Sequence, residues 1–339
     1  MTIPFDKEEF IKEFGGALSL LPLAESEGIK AAENGYDRLV FVACGAPYQM
    51  MCSIQYWTDK YASSTDVRVF HAGEFVHLNP AFLNDRTIGF LGSHSGTTRE
   101  VIEVANYFKG KPCRTFAFTQ QADSAIGKNV DQVFPYGHSN QGYFSSLMLT
   151  LAFTSGLLKE REKEWKFHGE LMSSLPNFPG ALADAKNEWK KKGHTDAEIL
   201  KDAGSIYFIG SGPAFTTAYI FAACFLMEMQ WMRAYPLSAA EFFHGPFEVF
   251  DKETPVVLLL GEDTSRPEAE RVLKFCQEYL SEPIIYDSRD FAMSGIHKTI
   301  RPMLAPFILD SAMTNIVESL AEFNSHPLTT RRYMGKVDY

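Results

Sequence analysis

Residues 38–45 read Arg38-Leu-Val-Phe-Val-Ala-Cys-Gly45, and residues 205–212 read Ser205-Ile-Tyr-Phe-Ile-Gly-Ser-Gly212. Each is a continuous apolar run ending in glycine, followed by a helix-like stretch, Ala46–Tyr61 in the first case and Pro213–Met229 in the second. An unbroken apolar run marks a strand buried on both faces, as in a parallel sheet covered by helices. The match extends outward. Glu74 of His71-Ala-Gly-Glu-Phe75 follows Gly45 at the same interval as Glu241 of Ser238-Ala-Ala-Glu-Phe242 follows Gly212. Next come Thr87-Ile-Gly-Phe-Leu-Gly92 and Pro255-Val-Val-Leu-Leu-Leu-Gly261, helical stretches over Thr97–Phe108 and Arg266–Leu280, and further strands over Arg114–Thr119 and Pro283–Tyr286. Spacing that holds from 38 to 119 and again from 205 to 286 indicates two tandem copies of one α/β unit. Each copy is expected to be doubly wound around a parallel, flavodoxin-like sheet. Residues 1–34 then form an amino-terminal helical segment and 35–165 the first copy. Residues 166–195 form a helical linker within the charged stretch Lys159–His194, and 196–339 the second copy with a carboxyl-terminal tail.

The composition limits what such a chain does. Its 339 residues are 45% apolar and 22% charged, as in an ordinary globular protein, and the net charge is −10. No Lys/Arg-dense run stands out that would follow a nucleic-acid backbone, so nucleic acid is not an expected partner. No segment reaches the ~18 apolar residues that span a membrane. Met1–Phe14 carries acids and no long apolar core, so no secretory signal is expected there. Five widely spaced cysteines (Cys44, Cys52, Cys113, Cys224, Cys276) without a CxxC pair read as mostly buried free thiols in a reducing cytoplasm. No Cys/His cluster has zinc spacing, and neither a metal nor an organic cofactor is expected.

Function is sought where the copies differ. After its second apolar run the first copy has Gly92-Ser-His-Ser-Gly-Thr-Thr-Arg-Glu100. Ser95 or Thr97 can cap the next helix, with Glu100 completing a capping box. Alternatively Ser93, Ser95, Thr97 and Thr98, with free N–H groups at a helix start, hold a phosphate. The second copy has Gly261-Glu-Asp-Thr-Ser-Arg-Pro267 there, whose carboxylates repel an anion. It supplies acid–base candidates instead. Glu228 ends the apolar stretch Tyr219–Met229 and is either solvent-facing, or buried and suited to proton transfer. His244, in Glu241-Phe-Phe-His-Gly-Pro246, is either a loop histidine bonded to backbone or a proton carrier near neutral pH. His71 and His77 read as packing or capping residues, and His168, His194 and His297 as solvated; His138 and His326 fall between. Trp231 and Tyr333 read as core or interface. The tail His326–Tyr339 is either frayed or folds back to bring Lys336 over an anion.

These features resemble the sugar isomerase domain family over residues 35–339. The resemblance is carried by Val42-Ala-Cys-Gly45, Ser93-His-Ser-Gly-Thr-Thr98, Glu241-Phe-Phe-His-Gly-Pro-Phe-Glu248 and Arg331-Arg-Tyr-Met-Gly-Lys336. The chain is similar to the isomerase half of glucosamine-6-phosphate synthase. It is more similar to fructosamine 6-phosphate deglycases, which act on fructoselysine 6-phosphate and related Amadori compounds. The resemblance implies that Ser93, His94, Ser95 and Thr98, near the Gly45 turn, bind a sugar 6-phosphate. The family's catalytic glutamate precedes its His-Gly-Pro histidine by the interval that separates Glu228 from His244, and its carboxyl-terminal lysine matches Lys336. In the synthase that histidine serves the neighbouring subunit, which implies a homodimer or larger assembly with shared sites. Pro47 departs from the synthase, which has a phosphate-contacting serine there. The synthase's glutaminase domain has no counterpart, so synthase activity is not expected. The implied reaction is deglycation through an enaminol. The alternatives are aldose–ketose isomerisation, amino-sugar phosphate deamination, or a phosphosugar-sensing module. The last usually carries a DNA-binding domain, for which the acidic stretch Met1–Asn34 is too short.

Overall fold

A computed structural model describes residues 5–338. The chain forms two compact units, residues 6–179, and residues 180–338 together with Phe5.

The first unit begins with helices α1 (Lys7–Lys12) and α2 (Gly15–Glu33). There follow β1 (Arg38–Ala43), α3 (Gly45–Tyr61), β2 (Asp66–His71), α4 (Ala72–Leu78), β3 (Thr87–Gly92), α5 (Arg99–Phe108), β4 (Arg114–Thr119) and β5 (Gln132–Pro135). Helices α6 (Gly142–Arg161) and α7 (His168–Ser174) close it. The sheet is fully parallel in the order β2-β1-β3-β4-β5. All of β3 and all but the first residue of β1 and β4 are buried, which is why these strands read as unbroken apolar runs. On one face Val40, Val42 and Leu91 pack with Phe75, Val104 and Phe108. Toward α6, Phe90 and Phe116 set their rings 5.0 and 4.7 Å from that of Phe153. Helices α2 and α6 meet backbone to backbone. A Cβ on Gly28 would stand 2.0 Å from the Phe153 carbonyl oxygen, and one on Gly156 would stand 2.4 Å from that of Glu25.

Helix α8 (Phe178–Glu188) begins two residues before the second unit, in which its remainder and α9 (Lys190–Leu200) lead into β6 (Ile206–Gly210) and α10 (Ala214–Tyr219). Helix α10 runs directly into a π-helix, Ile220–Gln230, with i→i+5 hydrogen bonding. Then come β7 (Ala234–Ser238), β8 (Val256–Leu260), α11 (Arg266–Tyr279), β9 (Ile284–Asp287) and α12 (Arg301–Phe323). This sheet is also parallel, in the order β7-β6-β8-β9. Both units are therefore doubly wound α/β, as the repeat predicts. The division between units, at 179/180, falls within the charged helical region between the two copies. No helix among the described residues is long and apolar enough to cross a membrane.

Several expectations are corrected. The helix expected from Thr97 begins at Arg99, and the one expected over Pro213–Met229 changes to π geometry at Ile220. Strand β5 has no counterpart in the sequence reading; its four residues are too short for an apolar run to register. Of the cysteines only Cys276 is buried and the other four are half-buried. His168 is not solvated: its Nε2 lies 2.9 Å from Glu25 Oε1 and its Nδ1 lies 3.2 Å from Ser155 Oγ, joining α7 to α2 and α6.

Gly156→Ala should destabilise the protein by about 1–3 kcal/mol, because the added methyl meets backbone rather than a movable side chain. Gly169→Ala, which has open space, should be neutral or slightly stabilising. Urea denaturation of both variants checks this, and equal effects would refute the close crossing. Asp310, on α12, is fully buried with its Oδ2 unpartnered, and burial pushes its pKa up to about 8. The fold therefore favours the protonated carboxyl relative to the unfolded chain. That contribution is full below the unfolded value of 3.8 and is lost as pH rises toward about 8. Asp310→Asn should remove this slope from a plot of stability against pH; an unchanged slope would count against it.

Candidate active site

Strands β1 and β3 are neighbours, paired from Arg38↔Thr87 to Ala43↔Gly92, but their chains leave in opposite directions, toward β2 and β4. Such a reversal opens a crevice at the carboxyl edge of a parallel sheet. Gly45, with φ +60°, begins α3 there, and Ser93–Thr98 links β3 to α5. Buried Ser93 organises this loop: its Oγ accepts the Gly96 N–H at 3.1 Å and lies 2.8 Å from Thr98 Oγ1. Gly96 has φ +67°, and a Cβ on it would stand 2.4 Å from that of Ser124. Exposed Ser95 accepts the Thr97 N–H at 3.2 Å and the Thr97 hydroxyl at 2.9 Å.

The expected capping box is not formed. Thr98 occupies the cap position without a side-chain capping bond, because its hydroxyl is engaged by Ser93. The first turn of α5 thus keeps N–H groups without side-chain acceptors, beside the exposed Ser95 and Thr97 hydroxyls, an arrangement suited to an anion. His94 is braced from both sides, with Nδ1 2.5 Å from the Tyr136 hydroxyl and Nε2 2.9 Å from Gln120 Nε2. Partial burial, then the nearby His138, lowers its pKa from the ordinary histidine value. Tyr136 and Gln120 are the loop's supports that sequence reasoning missed, since neither belongs to the motif. Pro47 lies in the first turn of α3, where a missing N–H costs nothing.

The corresponding reversal in the second unit lies between β6 and β8. There the protein's own carboxylates take the place of an anion. Glu262 pairs with Arg301 at 2.7 Å, and Asp263 accepts the Ser265 N–H at 2.8 Å and its hydroxyl at 2.5 Å.

Glu228 projects from the π-helix into a cleft of about 640 Å³. Burial raises its pKa, and the Arg331 guanidinium, 2.9 Å away, opposes that rise. Arg331 also donates to the carbonyls of Leu328 (2.7 Å) and Thr330 (3.0 Å), and Lys336 Nζ donates to the Arg331 carbonyl at 2.5 Å. Gln230 Nε2 donates to the His326 carbonyl at 2.9 Å. The tail therefore is not frayed at His326 and Arg331, which meet the end of the π-helix, while Lys336 turns to a backbone carbonyl of the tail itself. Trp231 and Tyr333 are not core residues: Tyr333 is 63% exposed, and both line the cleft around Glu228. His244 lies apart from that cleft, exposed on the turn before Pro246. Its N–H is bonded to the Glu241 carbonyl, and its imidazole has no partner among the described residues. Also among the described residues, no group of three His, Cys, Asp or Glu side chains is arranged to hold a metal ion.

No protein-family model matches the chain. It is 30% identical over 305 residues to a fructosamine deglycase of Bacillus subtilis, covering 89% of this chain and 93% of that one. It is 30% identical over 322 residues to an agropine synthesis conjugase of Rhizobium rhizogenes (91% and 89%). It is 27% identical over 329 residues to the fructoselysine 6-phosphate deglycase of Escherichia coli (97% and 94%). A Bacillus subtilis crystal structure described as a candidate phosphosugar isomerase superposes with a TM-score of 0.86 at 28% identity, over 94% of this chain and 100% of that one. With a twice-wound parallel fold and relatives matched along nearly their whole length, the chain belongs to the sugar isomerase family of phosphosugar deglycases and isomerases, and it is an enzyme of that family.

Proposed function

We propose that the chain is a fructosamine 6-phosphate deglycase, converting a 6-phosphorylated Amadori compound and water to glucose 6-phosphate and a free amine or amino acid. The observation that carries this reading is Glu228, a half-buried carboxyl facing the cleft beside Arg331, whose raised pKa suits it to take a weakly acidic proton from carbon. Ser95, Thr97 and the start of α5, held by Ser93, Gly96, Thr98 and the braced His94, bind the phosphate. Gly45 keeps the crevice free of side chain. His244 assists ring opening by moving a proton at the ring oxygen. Glu228 then removes a proton from C1, giving the enaminol, and returns one to C2. This leaves a Schiff base of glucose 6-phosphate, and water adds to the imine and releases the amine. Lys336 supplies a cation from the folded-back tail. His244 is assigned to a neighbouring subunit's site, so the working enzyme is a homodimer or larger.

A second reading is supported by the 30% identity to a protein named as a conjugase. Every step above is reversible, and the same groups would condense an amine with a sugar. Incubation with a 6-phosphorylated fructosamine decides the direction. Release of glucose 6-phosphate and amine supports the deglycase, whereas isomerised sugar, ammonia or net condensation supports an alternative.

Glu228→Gln should lower turnover by about 100- to 10,000-fold while sugar phosphate binding survives. A variant that kept most of its activity would remove Glu228 from the mechanism. The base must be ionised to accept the proton, so kcat/KM should fall as pH drops through a value above that of an ordinary carboxylate. Arg331→Met removes the charge that opposes burial, and the acid limb should move to higher pH. An acid limb that stays in place, or moves lower, would mean that Arg331 does not tune this group.

A further inference from the structure

The cleft around Glu228 carries three guanidinium groups, Arg233, Arg331 and Arg332, against the one carboxylate. Arg331 is already engaged by Glu228 and by its own tail's carbonyls. Arg332 has no hydrogen-bond or ion-pair partner among the described residues; its guanidinium stands over the Trp231 indole, 4.3 Å from the ring centroid. A stacked guanidinium is held in place while its N–H fork stays available, an arrangement that matches a carboxylate in two-point contact. Around it Met227, Trp231, Tyr235, Tyr333 and Met334 expose apolar surface into the same space. Clustered exposed apolar side chains mark a surface that receives a ligand or partner, and thioethers and aromatic rings adapt to varied hydrocarbon shapes.

We propose that this cleft receives the amine part of the substrate and selects amines that carry a carboxylate beside an apolar side chain, with Arg332 reading the carboxylate. The inference rests on the deglycase reading above and refines it. An amine that brings a second, free ammonium would face a surplus of positive charge and is disfavoured.

The test compares kcat/KM for three 6-phosphorylated fructosamines: those of valine, of isobutylamine (valine without its carboxylate) and of lysine joined through its ε-amino group. The enzyme should prefer the valine compound to the isobutylamine compound by about tenfold or more, as loss of a charge-assisted contact requires. The lysine compound should rank behind that of valine. Arg332→Met should bring the valine-to-isobutylamine ratio close to one by lowering kcat/KM for the valine compound. A ratio near one in the wild type, or a ratio that the substitution does not change, overturns the proposal while glucose 6-phosphate release leaves the deglycase reading standing. Failure to hydrolyse any of the three overturns both. If Arg332→Met changes the sedimentation behaviour and not the ratio, the cleft is an interface between copies of the chain and the proposal falls.

Discussion

A parallel sheet delivers every strand's carboxyl end to one edge, and a reversal of strand order opens that edge at one place. This constraint acts on both units of the chain, between β1 and β3 and between β6 and β8. What differs is the material put there. Between β3 and α5 the loop is built of glycine and small hydroxyl residues, with no acid between Gly92 and Arg99. Its internal bonds run from Ser93 to Gly96 and Thr98, and they leave the helix start uncapped by side chains. Between β8 and α11 the same topological position holds carboxylates paired within the unit, Glu262 with Arg301 and Asp263 with Ser265. A carboxylate that satisfies its own loop's donors does internally what a bound phosphate would do from outside. One unit thus leaves a helix start uncapped by side chains, and the other pairs the acids of its loop with its own Arg301 and Ser265.

The chemistry attributed to the second unit depends on a balance at one side chain. Taking a carboxyl out of water makes it a stronger base, but unopposed burial would leave it protonated and unable to accept a proton. Arg331 supplies the opposition at 2.9 Å. Both partners keep partial access to solvent, 26% for Glu228 and 21% for Arg331, so the attraction is moderated rather than locked as in a fully dry pair. The π-helix contributes by carrying Glu228 on a wider turn than an α-helix has, ending at Trp231 in left-handed geometry.

The strands are the most legible part of the fold. Leu39–Ala43, Thr87–Gly92 and Thr115–Thr119 are buried, so their apolar runs coincide with the elements themselves. The π-helix is not legible, because Ile220–Met227 is apolar all round and its pattern does not distinguish a wider turn from an ordinary one. Composition locates the hydroxyl loop but not its internal bonding. Whether Thr98 caps a helix or meets Ser93 depends on a 2.8 Å contact that no spacing rule encodes. Glu228 is identifiable as a charge at the end of an apolar stretch. Its partner lies far along the chain, in a tail with no periodicity, and only the folded chain brings the two together.

That tail also explains why adjacent identical residues take different tasks. Arg331 and Arg332 follow one another in a chain of turns, and successive side chains in a turn leave the backbone in different directions. Arg331 reaches Glu228 and the carbonyls of Leu328 and Thr330, while Arg332 reaches the indole of Trp231. Both arrangements require the tail to return to the end of the π-helix. The contacts that bring it there are those of His326, whose carbonyl accepts from Gln230 and whose ring meets Trp231 edge-on at 4.4 Å. The anchor at His326 therefore stands upstream of the electrostatics of the cleft: without it Glu228 would lose its opposing charge, and the apolar surface beside it would lose its cation.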